Sequence, residues 1–143
     1  MSEGARVPAG ITGPANGRLA VLGAGKLGEA LIRGLLDAGV VSAARVTVTA
    51  AHAERVEKLR SGLAVRGATT NLEAVRGADL VLLAVKPQQV PGVLEEIRGA
   101  LAPPQILISV AASVSTAFIE KHLDQAVPVI RAMPNTPALL RQG

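Results

Sequence analysis

The sequence contains no cysteine, tryptophan or tyrosine, and Phe118 is its single phenylalanine. The missing cysteines exclude disulfides, thiolate metal sites and a cysteine nucleophile. Histidine occurs only at positions 52 and 122, which argues against a histidine-built metal centre, so no metal ligand is assigned. Aromatic rings that stack on bases are almost absent, and the fifteen lysines and arginines are spread along the chain. Nucleic acid is therefore not an expected partner. No stretch approaches the ~20 apolar residues of a membrane span, and a soluble, cytoplasmic protein is expected.

What is present is aliphatic. Hydrophobic residues make up 49% and charged residues 18% of the 143 positions, the balance of one folded domain with a core of Leu, Val, Ile and Ala. A net charge of +4 suits an anionic small molecule. Residues 1–17, "MSEGARVPAGITGPANG", carry four Gly and two Pro with no apolar run, and read as a loose tail before a domain at 18–143.

Beyond the tail, strand-like runs alternate with stretches of helical period. Strands are expected at "LAVL" (19–22), "VTVT" (46–49), "LAV" (63–65), "DLVLLAV" (79–85), "ILISV" (106–110) and "VPVIRAM" (127–133). Helices are expected up to Ala38, over 53–60, from Asn71, over 90–100 and over 115–123. Such alternation predicts a doubly wound, mainly parallel Rossmann-type sheet with helices on both faces. The run at 80–85 lacks polar alternation and belongs at the sheet centre. In the first helix Leu27, Ala30, Leu31, Gly34, Leu35 and Ala38 form an apolar stripe, ended by Gly39. Val90, Val93, Leu94 and Ile97 do the same in the fourth, leaving Glu95, Glu96 and Arg98 for solvent.

Gly23-Ala24-Gly25-Lys26-Leu27-Gly28 fits G-x-G-x-x-G where its mechanism requires it, after a strand and opening a helix. Gly23 permits the tight turn, Gly25 lets backbone approach a pyrophosphate, and Gly28 lets the helix lie on the strand. Free N–H groups and the helix dipole then face the anion. The competing interpretation is a plain strand-to-helix turn. A Walker-type loop is excluded, because Ala20 and Leu27 stand where it needs Gly and Ser or Thr. The second strand ends Val48-Thr49-Ala50-Ala51-His52, with no carboxylate to bind a ribose 2′-hydroxyl or repel a 2′-phosphate. Thr49, His52 and Arg55 are compatible with a phosphate, so NADP (NADPH) is favoured, with NAD as the alternative. For Arg55 an ordinary solvated helix position fits equally well.

Together with "LGAGKLGEALIRGLL", the stretches "DLVLLAVKPQ" (79–88), "ILISVAASV" (106–114) and "VIRAMPNTPAL" (129–139) resemble the dinucleotide-binding domain of pyrroline-5-carboxylate reductase. The resemblance runs from about Leu19 to the end of the sequence, and "VIRAMPNTP" is its most specific element. It implies hydride transfer from NADPH to the C=N carbon of 1-pyrroline-5-carboxylate, giving L-proline.

By position, the resemblance implies a dinucleotide cradle at Leu22, Gly23, Ala24, Gly25, Lys26, Leu27 and Gly28. It places Thr49, Ala50 and Asn71 on the adenosine side, Ala84, Val85, Lys86 and Pro87 after the fourth strand, and Val110, Ala111 and Ala112 beside the nicotinamide. Asn135 and Thr136 close the substrate end. Without it, Asn71 reads equally as a helix N-cap, Lys86 as a charged strand exit, and Pro134 and Pro137 as turn punctuation. No catalytic residue is assigned.

Two departures stand out. Ser113 replaces a family glycine, which strains the chain if φ is positive there. The family also continues into a helical second domain that forms the dimer and holds substrate, whereas this sequence ends at Gly143. Apolar surface near Pro134 to Leu140 is expected to serve that domain. Alternative functions are a standalone NADP-binding or regulatory module, or another NADP-linked reductase built on the same domain.

Overall fold

The computed structural model describes residues 17–133; Asn135, Thr136 and the Pro134–Leu140 stretch lie outside the described residues. Gly17, assigned above to the tail, is buried. It lies against Asp79, whose Oδ2 accepts the Arg18 N–H at 2.8 Å.

Six strands, β1 (Leu19–Leu22), β2 (Val46–Val48), β3 (Arg66–Gly67), β4 (Leu80–Leu83), β5 (Ile106–Ser109) and β6 (Val129–Arg131), form one sheet in the order β3-β2-β1-β4-β5-β6. Every pairing is parallel. The helices are α1 (Lys26–Asp37), α2 (Ala53–Leu63), α3 (Asn71–Val75), α4 (Val90–Ile97) and α5 (Thr116–Lys121). This is the doubly wound nucleotide-binding order. As expected, β4 is central, paired with β1 and β5.

Alternation decides which side chain meets which helix. Ala20, Leu22, Val81, Leu83 and Leu107 point to one face and join the core formed with α3, α4 and α5. Leu19, Val21, Val46, Val48 and Leu82 point to the other, beneath α1 and α2. With both phases apolar, neither face of the central strands can be left to water.

Three expectations shift. The strand predicted at 63–65 lies at Arg66–Gly67, because α2 runs on to Leu63 and Ala64 turns it off in the left-handed region, φ 62°. Thr70 rather than Asn71 caps α3, its hydroxyl accepting the Glu73 N–H at 3.0 Å. In α1 the fully buried positions are Gly28 and Ile32. Part of the predicted stripe, Ala30, Leu31, Gly34 and Leu35, instead lines an apolar groove over Leu80, Leu82 and Ile108. The sheet extends past α1 on this side, and the groove leaves Leu80 and Ile108 of β4 and β5 only partly buried.

Ser113 adopts φ 63°, the strained region anticipated for it. Its side chain is exposed, so removing it sacrifices no packing. Ser113→Gly is expected to raise stability by about 0.5–1 kcal/mol, measured as an increase in Tm.

Candidate functional site

A cleft of about 580 Å³ lies beyond the carboxyl ends of β1, β2, β4 and β5. Its centre is the switch point where β1 leads to α1 on one face while β4 leads to α4 on the other. Thirteen of the sequence-predicted residues line it: Gly23, Ala24, Gly25, Lys26, Leu27, Ala50, Ala84, Val85, Lys86, Pro87, Val110, Ala111 and Ala112. Ala51, His52, Arg55 and Gln89 line it too. Ala51 and Gln89 had no role assigned from the sequence; Gln89 closes the tight turn at Pro87, its Oε1 accepting the Lys86 N–H at 3.2 Å.

The three motif glycines have different roles. Gly23 has φ +78°, and a Cβ there would stand 2.9 Å from the Val85 Cα. Conformation and space both demand glycine. Gly25 has an ordinary extended φ of −84°, and a Cβ there would meet nothing within 4 Å. Glycine here keeps the cleft open. At Gly28 a Cβ would touch the Ala24 Cβ at 3.4 Å and the Val21 Cγ1 at 3.6 Å, ordinary contacts, so the helix's approach to β1 does not require glycine.

Hydrogen bonding inside the loop narrows which amides face the cleft. The Gly23 N–H donates to Thr49 Oγ1 at 3.1 Å, the Ala24 N–H to the Thr49 carbonyl at 2.7 Å, and the Gly25 N–H to the Gly23 carbonyl at 2.7 Å. No side chain caps α1. Its first-turn amides are thus without a side-chain partner; Lys26 and Leu27 line the cleft, while Gly28 is buried behind them and does not line it. Leu22 is fully buried beneath the loop.

Thr49 and Asn71 do not line the cleft. Thr49 is 5% exposed and donates its hydroxyl proton to Asn71 Oδ1 at 2.6 Å. Asn71 Nδ2 donates to Glu96 Oε1 at 2.9 Å. Glu96, expected to face solvent, is thus tied to α3, a link that sequence spacing does not reveal.

Arg55 is not a free solvated residue. Its Nε donates to the Ala24 carbonyl at 3.1 Å and its Nη2 to Glu29 Oε1 at 2.7 Å, while Arg33 bonds Glu29 Oε2. The hydrogen bond from Arg33, joined by Arg55, outweighs partial burial and holds the Glu29 carboxyl below its ordinary value of 4.5. A depressed pKa contributes stability that is complete above the ordinary value and is lost as pH falls through the lowered one. Glu29→Gln is expected to cost roughly 1 kcal/mol near neutrality, discounted for solvent screening. The difference should shrink below pH 4.5, as read by denaturation at several pH values.

The cleft lining includes Lys26, His52, Lys86 and Arg55, the last already paired with Glu29, and no carboxylate, so the site suits an anion. Residues 18–113, from the start of β1 to just past β5, match the family model described as NADP oxidoreductase, coenzyme F420-dependent. The chain belongs to this family. It is also similar to pyrroline-5-carboxylate reductase of Pseudomonas aeruginosa, 44% identical over 126 residues that make up 88% of this chain and 46% of that protein. Among solved structures, the pyrroline-5-carboxylate reductase of Coxiella burnetii superposes with a TM-score of 0.82 at 32% identity, over 87% of this chain and 46% of that one. The Plasmodium falciparum pyrroline carboxylate reductase, solved with NADP bound, gives a TM-score of 0.76 at 25% identity over 90% and 46%. The chain spans about half the length of the curated relatives it matches. Among its described residues, no helix is long and apolar enough to cross a membrane.

Proposed function

We propose that the cleft binds NADPH and that the chain supplies the dinucleotide-binding part of an enzyme that reduces 1-pyrroline-5-carboxylate to L-proline in the cytoplasm. The observation that carries this reading is the uncapped start of α1 at a switch-point cleft whose lining holds four basic side chains and no acid. The fit is physical: Gly25 leaves room where any larger residue would project, and the first-turn amides of α1 stand ready for a diphosphate. On this reading Lys26 and Leu27 hold the diphosphate, with Gly28 buried behind them. Ala50, His52 and Arg55 flank the 2′-phosphate, Val85, Lys86 and Pro87 form the facing wall, and the small Ala84, Ala111 and Ala112 leave space for a flat ring beside Val110. Asn135 and Thr136, outside the described residues, are assigned to the substrate end.

The chemistry supplied there is donation of a hydride to the carbon of a C=N bond. The chain's own part is to orient the donor and exclude water. The names of the P. aeruginosa and C. burnetii relatives support the choice of substrate. The apolar groove beside α1 supports docking of further polypeptide, as in a homo-oligomer of the longer enzyme.

Fluorescence titration of the purified chain with each reduced coenzyme tests the assignment. NADPH is expected to bind at least about tenfold more tightly than NADH, since the cleft offers cations and no ribose-binding carboxylate. Equal or reversed affinities overturn the NADP assignment, and absence of binding to either overturns the reading of the cleft.

A further inference from the structure

We infer that Glu96, Asn71 and Thr49 form a polarised relay that positions the Gly23 turn from outside the cleft. The inference rests on the reading that the cleft binds a dinucleotide, and it gives Thr49 and Asn71 a different task from direct contact with that ligand.

The direction of the relay follows from chemistry. An ionised carboxylate only accepts, so the end of Asn71 that faces Glu96 Oε1 at 2.9 Å is its NH2. Asn71 Oδ1 is thereby turned to Thr49, 2.6 Å away, and must accept from it. With its proton spent on Asn71, the Thr49 hydroxyl presents only lone pairs, one of which takes the Gly23 N–H at 3.1 Å. Every bond in the chain points the same way, from backbone amide to carboxylate, an arrangement in which each bond polarises the next. The second Glu96 oxygen accepts the Leu72 N–H at 3.1 Å, which fixes the carboxylate on the first turn of α3.

Thr49 also holds the neighbouring amide, since its carbonyl accepts the Ala24 N–H at 2.7 Å. Two successive amides of the glycine loop thus rest on one residue that is almost wholly buried. Glu96 belongs to α4, which follows directly on the Pro87–Gln89 turn in the opposite wall of the cleft. The relay therefore ties the two walls together through α3. A shift of Gly23 would displace Gly25 and the first turn of α1, where the ligand's diphosphate is held on this reading.

The test uses the intact chain and two readouts: hydrogen exchange of the Gly23 amide by NMR without ligand, and the NADPH dissociation constant. Thr49→Val, equal in shape but without the hydroxyl, is expected to speed Gly23 exchange and weaken NADPH by about tenfold or more each, and Thr49→Ser to restore both to within about twofold. Glu96→Ala, on the exposed side of α4, should speed Gly23 exchange and weaken NADPH by about fivefold with little change in Tm. Unchanged Gly23 exchange in Glu96→Ala overturns the relay, as does an affinity loss that merely follows lost stability. If the wild-type chain binds no NADPH, the functional reading fails on its own account. The effect of Glu96→Ala on Gly23 still decides the relay in that case.

Discussion

Gly23→Ala is expected to destabilise the protein by about 3 kcal/mol, lowering Tm by roughly 10 °C. Two costs add. Alanine at φ +78° is strained by itself, and its Cβ would stand 2.9 Å from the Val85 Cα, a backbone atom in the strand exit that cannot swing aside. Relief would require the β1 and β4 exits to separate, although the Ala84 N–H is bonded to the Leu22 carbonyl at 2.9 Å. Gly28→Ala is the matched control. Its Cβ would make ordinary contacts with Ala24 and Val21 inside a helix, so Tm should hold or rise, by up to about 1 kcal/mol of stability. Thermal denaturation of the two variants separates the glycine the turn needs from the one it does not.

Gly25→Asp should act in the opposite sense, leaving the fold intact or slightly more stable while weakening NADPH at least about 100-fold, close to 2.7 kcal/mol. Gly25 is the N-cap of α1, with extended backbone (φ −84°, ψ −150°) and no side-chain cap bond. Aspartate is among the best residues for that position and needs no change of backbone. Its carboxylate would accept from the first-turn amides and stand where the proposed diphosphate sits, adding charge repulsion to competition for the same donors. Paired measurements of Tm and of NADPH affinity by calorimetry check this. A loss of both together would mean that Gly25 is structural.

Much of this arrangement was legible in the sequence because it depends on local signals. The wholly apolar run at 80–85 pointed to a central strand buried on both faces, which is β4 at Leu80–Leu83, and the glycine cluster sat between a strand and an amphipathic helix. The strain at Ser113 was anticipated only through the resemblance, from the glycine that the family carries there. What escaped depends on contacts distant in sequence. The third strand was misplaced because nothing in "LAV" shows that Ala64 will take a left-handed turn. Glu96 looked like a solvated helix residue, since its partner Asn71 lies 25 positions away. Thr49 looked like a ligand contact, and its burial and both its side-chain hydrogen bonds come from the packing of the loop and α3 over the β2 exit. Arg55 is bound by Glu29, 26 residues earlier, a pairing that periodicity does not report.

Backbone amide shifts recorded while NADPH is added to the isotopically labelled chain test the central claim most directly. The largest changes are expected at Gly25, Lys26, Leu27 and Gly28, with accompanying changes at Ala50, at Val85 and Lys86, and at Ala111 and Ala112. Shifts confined to the amino ends of the strands, around Arg18, Arg66 and Arg76, or no saturable shifts at all, would contradict a dinucleotide held at the start of α1.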